Sequence, residues 1–265
     1  FMFQYSPGNT VNNATNFYNE AIGNSVAIGN RSVANKGAAT SVGVEAKADG
    51  WGASAYGYNA KAEGAGATAI GNAAEASGGA YATAIGTSST AKGAYSIASG
   101  VQAKAEGNQS IALGLNSGAT TTAANGVALG ANSKATVDKG VAGYDPSEKN
   151  STDAVWKATH SAVSVGSSDP SDPSKVVTSR QINNVAAGTK DADAVNVAQL
   201  RTLEERFSSG QNSILNQVRE IESKIYDIGK KADASSASAI AQASIPQATK
   251  AGAAGIGVGT GVYNG

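Results

Sequence analysis

The stretch NSVAIG at residues 24–29 joins a short β-prone segment to a glycine, and related stretches follow at nearly constant intervals. The closing glycines, 14 to 16 residues apart, are Gly29, Gly43, Gly57, Gly71, Gly86, Gly100, Gly114 and Gly130. A period this short and regular indicates one small structural unit stacked on copies of itself. We therefore expect a solenoid, which presents a long surface rather than a pocket.

Each repeat alternates a β-branched or apolar residue with a small one. The residues directly before the glycines are Ile28, Val42, Tyr56, Ile70, Ile85, Ser99, Leu113 and Leu129, and two positions earlier stand Val26, Thr40, Ser54, Thr68, Thr83, Ile97, Ile111 and Val127. The intervening row is Ala27, Ser41, Ala55, Ala69, Ala84, Ala98, Ala112 and Ala128. Residues two apart share one face of a strand. We expect the small row to face outward, where it lets neighbouring chains approach closely.

The second half of each repeat also has fixed points. A second glycine follows the first in most repeats, and the fifth residue after each first glycine is Ala34, Ala48, Ala62, Ala76, Ala91, Ala105, Ala119 or Ala135. Two short strands fit one repeat, because a strand rises about 3.3 Å per residue and glycine adopts tight corners. We predict a narrow parallel β-solenoid with two strands per turn and a thin core of small side chains. So thin a coil buries little surface, which favours homo-oligomers.

Composition argues against several classes of function. The formal net charge is zero, so nothing marks the chain for nucleic acid or an anionic membrane. Cysteine is absent, which excludes disulfides, thiol catalysis and cysteine-ligated zinc. Aromatic residues make up only 6% of the chain, so we expect no single large globular core. The sequence predicts neither a transmembrane helix nor a signal peptide, and we interpret the chain as a segment of a longer protein.

The pattern changes several times along the chain. We predict an irregular cap or a decayed first turn at 1–20, repeats at 21–137, a connector at 138–177, a compact polar and apolar block at 178–200, a helix at 201–245 and a terminal segment at 246–265. Within the connector, the Ser-, Asp- and Pro-rich stretch 167–174 is typical of a loop.

The predicted helix carries apolar residues three and four positions apart. They are Leu200, Leu203, Phe207, Ile214, Val218, Ile221, Ile225 and Ile228. Such spacing is typical of a coiled-coil seam, and isoleucine at both seam positions favours three or four strands. The heptad phase slips near Gly210. The alternative is a single amphipathic helix packed on a globular domain.

Glycine alternates with other residues at the end of the chain. Gly255, Gly257, Gly259 and Gly261 alternate with Ile256, Val258, Thr260 and Val262, and the chain ends at Tyr263-Asn264-Gly265. This period of two predicts a strand with one apolar and one bare face, and Asn-Gly is a hairpin signal. The pattern is also typical of a strand in a membrane β-barrel.

Two segments carry a family resemblance. The repeat Ser25-Val26-Ala27-Ile28-Gly29 resembles the head repeat of YadA-like trimeric autotransporter adhesins. The run from Thr178 to Thr189, TSRQINNVAAGT, continues through Asp193 to Leu200 as DAVNVAQL, and it resembles the neck of that family. The segment around Ile245-Pro246-Gln247 and Gly255 to Gly265 resembles the start of its membrane anchor. The order of the segments also follows the family: head, neck, stalk and anchor.

The resemblance implies a mainly β protein with a C-terminal helix: a left-handed parallel β-roll in each of three identical chains, then a neck and a trimeric coiled-coil stalk. It implies a bacterial cell-surface location, with anchoring in the outer membrane through a barrel whose first strand would lie in 246–265. The narrow helical segment Ala232 to Ala243 would thread that barrel. The implied neck residues are Arg180, Gln181, Ile182, Asn184, Val185, Asp193, Val195, Asn196, Val197 and Leu200, and the implied coiled-coil core is Leu203, Phe207, Ile214, Val218, Ile221, Ile225 and Ile228.

The family's activity is adhesion to host matrix, to host cells or to copies of itself, without a cofactor. The charged residues Lys47, Lys61, Glu75 and Lys104, with Glu63 and Glu106, would line an exterior ridge. This ridge is either a binding surface or a solvated face that keeps the coil soluble and blocks edge pairing.

Two other functions compete with adhesion. Catalysis by a Ser-His-Asp triad would need His160, the single histidine, and no nucleophile motif surrounds it. Asp191 and Asp193 fit neck turns or helix capping better than acid–base chemistry. A purely structural or ice-binding solenoid is the remaining alternative, but Thr40, Thr68 and Thr83 do not recur in every turn.

Overall fold

The structure is a computed structural model that describes residues 11–13, 17–21, 24–120, 124–144, 153–245, 250–252 and 255–261. It divides into two compact units, Phe1–Asn183 and Asn184–Gly265. The first contains the repeats and the second contains the long helix. Pro246 and Gln247, Val262 and the final Tyr263-Asn264-Gly265 lie outside the described residues.

The first unit is built from two long sheets. The ten-stranded sheet contains, in spatial order, β1 Val11–Asn13, β2 Phe17–Ala21, β4 Val33–Ala34, β6 Lys47–Ala48, β8 Lys61–Ala62, β10 Glu75–Ala76, β12 Thr90–Ala91, β14 Lys104–Ala105, β16 Gly118–Ala119 and β18 Lys134–Ala135. The nine-stranded sheet contains β3 Val26–Ile28, β5 Thr40–Val42, β7 Ser54–Tyr56, β9 Thr68–Ile70, β11 Thr83–Ile85, β13 Ile97–Ser99, β15 Ile111–Leu113, β17 Val127–Leu129 and β19 Val163–Ser164.

Successive turns pair in parallel and in register. Thr83 pairs with Thr68, and Ile85 pairs with Ile70, one repeat earlier. Each turn therefore gives one strand to each sheet, as the 14-residue period requires. The predicted parallel β-solenoid with two strands per turn is confirmed.

Among the described residues, the side chains that fill the interior of the solenoid are those of alanine and serine. Four rows point inward, and their members are Ala27, Ser41, Ala55, Ala69, Ala84, Ala98, Ala112 and Ala128; Ser32, Ala46, Ala60, Ala74, Ser89, Ala103, Ser117 and Ser133; Ala34, Ala48, Ala62, Ala76, Ala91, Ala105, Ala119 and Ala135; and Ala39, Ala53, Ala67, Ala82, Ser96 and Ser110. All are fully buried except Ala27, which is half-buried. The buried serines satisfy their hydroxyl groups locally, as where Ser96 and Ser110 each donate to a glycine carbonyl at 2.6 Å.

The expected orientation of the row that begins at Ala27 is wrong. We expected these small residues outside, but the structure buries them and leaves the β-branched and apolar rows on the surface. The physical reason is the width of the coil. Two sheets joined by such short corners leave room between them for methyl and hydroxymethyl groups only, so larger side chains point outward.

Glycine is required where one turn meets the next. The Gly71 backbone has a φ of +136°, in the region that L side chains rarely adopt, and a β-carbon there would lie 2.6 Å from the carbonyl oxygen of Gly86. A β-carbon on Gly86 would likewise lie 2.6 Å from the carbonyl oxygen of Gly100. Backbone therefore stacks directly on backbone at this corner, which explains the glycine period.

The described residues before residue 24 form two strands. β1 and β2 form an antiparallel pair, and β2 then pairs in parallel with β4, with Ala21 opposite Ala34. β2 thus occupies the place of a preceding turn in the ten-stranded sheet.

The region after the last repeat returns to the solenoid. β19 pairs in parallel with β17 and adds a rung to the nine-stranded sheet. The predicted loop at 167–174 is wrong, because β20 Ser167–Asp169 and β21 Asp172–Thr178 form an antiparallel hairpin. Asp169 closes its turn by accepting hydrogen bonds from the amide and hydroxyl groups of Ser171, at 2.9 and 2.6 Å. Local side-chain bonding of this kind makes a tight turn from residues that also occur in loops.

The second unit contains one continuous helix, α1, from Val197 to Ala243. Asn196 is its N-cap: the Asn196 side chain accepts from the Gln199 amide at 3.1 Å, and the Asn196 amide donates to Gln199 Oε1 at 3.2 Å. This reciprocal pair is a capping box. The helix contains no buried residue.

The described glycine-rich residues 255–261 run beside this helix without forming a strand. A β-carbon on Gly259 would collide with the Ala241 carbonyl, and one on Gly261 would collide with the Ala237 carbonyl. The bare face of the alternating pattern therefore contacts the helix. Ile256 and Val258 on the other face are fully or largely exposed.

The narrow interior predicts that Ala91→Leu destabilises the solenoid by about 3 kcal/mol, since added methylenes force backbone shifts in a packed core. Ala91 is fully buried in β12. The free energy of unfolding from denaturant titration measures the effect. The matched control is Thr90→Leu, which changes the adjacent residue on the outer face and is expected to cost less than about 0.5 kcal/mol. Equal losses in both variants would contradict an interior that admits small side chains alone.

Candidate interaction surfaces

The predicted charged ridge lies on the outer face of the ten-stranded sheet. Parallel pairing places its residues on successive rungs in the order Val33, Lys47, Lys61, Glu75, Thr90, Lys104, Gly118 and Lys134. Lys47 and Lys104 are exposed, whereas Lys61 and Glu75 are half-buried. The structure therefore brings the predicted ridge residues Lys47, Lys61 and Glu75 onto adjacent rungs, with Lys104 two rungs beyond Glu75.

A second polar row lies beside the ridge, two residues further along each strand. It contains Asn35, Asp49, Glu63, Ser77, Lys92 and Glu106. Asn35 donates to Asp49 at 2.6 Å across neighbouring rungs. The two rows together give this face carboxylate, amide, ammonium and hydroxyl groups in close succession, and no single charge sign dominates it.

Lys134 belongs to the ridge but is absent from the predicted set. It precedes Ala135 as Lys47 precedes Ala48, so the same sequence position identifies it. Its side chain lies over Gly118, and Nζ donates to the Asn116 carbonyl oxygen at 2.6 Å. Partial burial and then the neighbouring charge of Lys104 lower the pKa of Lys134, while Glu106 opposes this shift.

The outer face of the nine-stranded sheet is apolar. Ile28, Tyr56, Ile70, Ile85, Leu113 and Leu129 form a row whose members are 37% to 41% exposed. The neighbouring row on the same face combines Val26, Ile97, Ile111 and Val127 with Thr40, Ser54, Thr68 and Thr83. A long apolar row of this kind is typical of a protein–protein contact. The solenoid thus has one charged and polar outer face and one largely apolar outer face.

Arg180, a predicted neck residue, closes the end of the solenoid. Its guanidinium group packs on Gly130 and donates to Ser133 Oγ at 2.9 Å, to the Ala131 carbonyl at 2.6 Å and to the Val165 carbonyl. The planar fork of arginine suits this set of divergent acceptors. Arg180 therefore ties the returning chain to the last complete turn.

Side-chain bonds to backbone organise the neck turn that precedes the helix. Gln199 accepts from the Gly188 amide at 3.1 Å and donates to the Gly188 carbonyl at 3.0 Å. Asn196 donates to the Val185 carbonyl at 3.2 Å. The two residues of the capping box thus also hold residues 185–188. Gln199 is absent from the predicted neck residues, although its place three residues after Asn196 is a capping-box signal.

Asp193 stabilises the same turn but does not cap the helix. Its Oδ2 atom accepts from the amides of Thr189 and Lys190, at 2.9 and 3.0 Å. Both hydrogen bonds lower the pKa of Asp193, and the one from the Thr189 amide has the larger effect. Of the two roles considered for Asp193, the structure supports the turn and assigns the cap to Asn196.

The apolar residues of the neck and stalk are exposed in the single chain. Ile182, Val195, Val197, Leu200, Leu203, Phe207, Ile214, Val218, Ile221, Ile225 and Ile228 are 44% to 71% exposed. The buried apolar face usually supplies most of a helix's stability. Within its own unit, α1 buries none of its residues and covers no globular core.

Groups suited to catalysis or metal binding are sparse. The described residues contain no cluster of three or more histidine, cysteine, aspartate or glutamate side chains that would hold a metal ion. His160 is exposed, and its Nδ1 atom lies 3.1 Å from the hydroxyl of the adjacent Thr159. Among the described helices, none combines the length and the hydropathy needed to cross a membrane.

The chain thus combines a parallel β-solenoid with a long helix that exposes a row of apolar side chains. The family model described as the YadA head domain repeat matches residues 23–46, 48–74, 62–89, 77–100 and 91–117, and the model described as the coiled stalk of trimeric autotransporter adhesin matches residues 181–222. The chain belongs to the YadA-like trimeric autotransporter adhesins.

Known relatives are similar over parts of the chain. The autotransporter adhesin BadA of Bartonella henselae is 45% identical over 84 residues, which are 30% of this chain and 2% of BadA. The chain thus spans a small part of this curated relative's length. A crystal structure of the collagen-binding domain of the Yersinia adhesin YadA is similar, with 26% sequence identity and a TM-score of 0.44. The match covers 71% of this chain and 79% of the YadA chain.

We predict that Arg180→Ala lowers the free energy of local opening of the last turn by about 1.5 kcal/mol. This value is at the low end for hydrogen bonds to a charged group, because the guanidinium is exposed. The measurement is amide hydrogen exchange at Lys134, whose amide donates to the Gly166 carbonyl at 2.7 Å. Lys175→Ala on β21 is the matched control for loss of positive charge and should leave this exchange unchanged. Identical exchange in the two variants would contradict the closing role of Arg180.

The Asp193 turn predicts a pH dependence. Because the folded-state pKa is lowered, the contribution of this carboxylate to stability is complete above its ordinary pKa of 3.8 and is lost as pH falls through the lower folded value. The amide proton shifts of Thr189 and Lys190 should therefore titrate together below pH 3.8. Asp193→Asn should abolish this titration, and Asp191→Asn, the control two residues away, should preserve it. Persistence of the titration in Asp193→Asn would contradict the assignment.

Proposed function

We propose that three copies of this chain assemble into a cell-surface adhesin that binds host extracellular matrix, host cells or further copies of itself, without catalysis. The observation that carries the proposal is the contrast between the two outer faces of the solenoid. The apolar face offers surface for burial between copies, and the charged and polar face is left for ligands.

Assembly accounts for both exposed apolar surfaces. Association through the nine-stranded sheet removes the row containing Ile70 and Ile85 from water, at about 25 cal/mol for each Å² of apolar surface buried. Association through the helix does the same for the seam containing Ile221 and Ile225. Isoleucine at both seam positions favours three or four helices over two, and the family's trimeric state selects three.

Adhesion by such a trimer depends on repetition. The ridge containing Lys47, Lys61, Glu75 and Lys104 would occur three times in parallel copies, so weak contacts act together with a high effective concentration. The mixed charges of this face suit polar protein surfaces better than a polyanion. We propose an outer-membrane location for the intact protein because the family consists of autotransporter adhesins.

The first test is assembly. Native mass spectrometry of the whole chain should give a trimer, and the variant Ile85→Lys/Ile221→Lys should give smaller species, since it buries like charges at both contacts. The control Thr90→Lys/Gln217→Lys adds the same charge on polar faces and should remain trimeric. A monomeric unmodified chain would overturn the proposed assembly.

The second test is adhesion. The trimer should bind immobilised collagen, fibronectin, laminin or cultured cells, or should self-associate, at least about tenfold more tightly than Ile85→Lys/Ile221→Lys, because avidity is lost with the trimer. Failure of the trimer on every one of these surfaces would refute adhesion. Thermal hysteresis on freezing would instead support the ice-binding alternative. We expect none, because the row Thr40, Ser54, Thr68 and Thr83 continues with Ile97 and Ile111.

A further inference from the structure

Three exposed aromatic rings lie on one corner of the solenoid. This aromatic corner, which leads from the ten-stranded to the nine-stranded sheet, comprises residues 50–52, 64–66, 79–81, 93–95 and 107–109 on five successive turns. Trp51, Tyr81 and Tyr95 are 66%, 59% and 58% exposed. The rings of Tyr81 and Tyr95 stack on each other, with centroids 5.6 Å apart and planes inclined by 19°.

Glycines on preceding turns lie directly beneath two of these rings. A β-carbon on Gly66 would lie 2.7 Å from the Tyr81 ring, and one on Gly37 would lie 2.5 Å from the Trp51 ring. The rings therefore lie along the solenoid axis on bare backbone. Trp51 is therefore supported by the turn before it, and Tyr81 lies between Gly66 and the stacked ring of Tyr95.

The two tyrosines occupy a conformation that does not favour them. Tyr81 and Tyr95 have φ values of 59° and 58°, in the left-handed region, where glycine is preferred. Other turns have similar φ values at the equivalent position, where they carry Ala38, Gly52, Gly66 and Gln109. The backbone therefore does not require a ring at this position. Because the two rings also contribute nothing to the interior of the solenoid, their placement is better explained by binding than by folding.

The corner carries no charge. None of the residues named as the aromatic corner is acidic or basic, and the turn after Tyr95 presents the amides of Asn108 and Gln109, both exposed. Asn108 is held in place by the Ala94 amide, which donates to its Oδ1 at 3.0 Å. Aromatic faces beside amide groups suit a ligand with a C–H face and hydroxyl groups, and they offer nothing to neutralise an anion.

We propose that the aromatic corner is a binding site for a neutral oligosaccharide, whose sugar rings pack against Trp51 and the exposed parts of the Tyr81–Tyr95 pair and whose hydroxyl groups bond to Asn108 and Gln109. The second polar row places Asp49, Glu63 and Glu106 directly before the corner residues, with Lys92 as the basic member, so a sulfated or acidic glycan meets more repulsion than attraction. A proline-rich peptide docks in an aromatic-lined groove, whereas the backbone of the aromatic corner is convex and forms no groove.

The opposite corner of each turn differs in composition. It exposes Val44, Tyr58, Val101 and Leu115 beside the apolar sheet face. Contact between copies of the chain is expected at that corner and that face, which leaves the aromatic corner for a ligand. The inference rests on the proposed function only in assigning this corner to the ligand rather than to assembly.

The experiment uses the full chain with Trp156→Phe, which leaves Trp51 as its only tryptophan. Neutral tetrasaccharides of glucose, galactose and N-acetylglucosamine are titrated while Trp51 fluorescence and saturation transfer from the tyrosine rings are recorded. At least one should bind, and Tyr81→Gly/Tyr95→Gly should weaken its binding at least about tenfold. Glycine suits the left-handed backbone, so this variant should unfold at the same or a higher temperature. Tyr144→Gly, which removes a fully exposed tyrosine elsewhere, should bind as the parent does.

Three results would overturn the proposal: no binding of any neutral tetrasaccharide, equal binding by Tyr81→Gly/Tyr95→Gly, or preferential binding of a heparin tetrasaccharide or a (Pro-Pro-Gly)10 peptide at these rings. Adhesion of the same trimers to matrix proteins and cells separates the two proposals. Adhesion that persists without tetrasaccharide binding overturns the glycan site alone, whereas loss of both in the unmodified trimer overturns the proposed function as well.

Discussion

The close stacking of backbone on backbone at the glycine corners is the constraint on which the rest of this structure depends. Gly71 and Gly86 approach so closely that a β-carbon would enter the next turn, and both have positive φ values. These corners let strands of two and three residues turn back on themselves and return in register one repeat later. The repeat length therefore follows from local backbone geometry.

A coil turned this tightly has room inside for little more than methyl groups. Its interior is alanine and serine, and every larger apolar side chain of the repeats is displaced to the surface, as Ile70 and Ile85 are. A protein with its small residues inside and its large apolar residues outside gains stability by association. The exposed seam of α1 has the same consequence. The fold of one chain thus favours association with further copies.

Periodicity made much of this architecture predictable. The glycine spacing gave two strands per turn, the row from Ala34 to Ala135 gave part of the core, and the apolar spacing after Leu200 gave the helix. The loop expected at 167–174 was wrong because Asp169 and Ser171 form a turn through local hydrogen bonds, and composition does not separate such a turn from a loop. The predicted ridge was incomplete because Lys134 lies after a longer repeat.

The sequence by itself determined the repeat, its strands, the continuous helix and the neck motif, because each depends on residues close together along the chain. Only the tertiary structure decided which face of the strands lies inside. A period of two assigns Ala69 and Ile70 to opposite faces, but the distance between the two sheets decides which of them fits between. The tertiary structure also decided that Trp51, Tyr81 and Tyr95 share one corner and that Arg180 reaches Ser133. The stacking of turns brings together residues that are 14 to 47 positions apart in the chain.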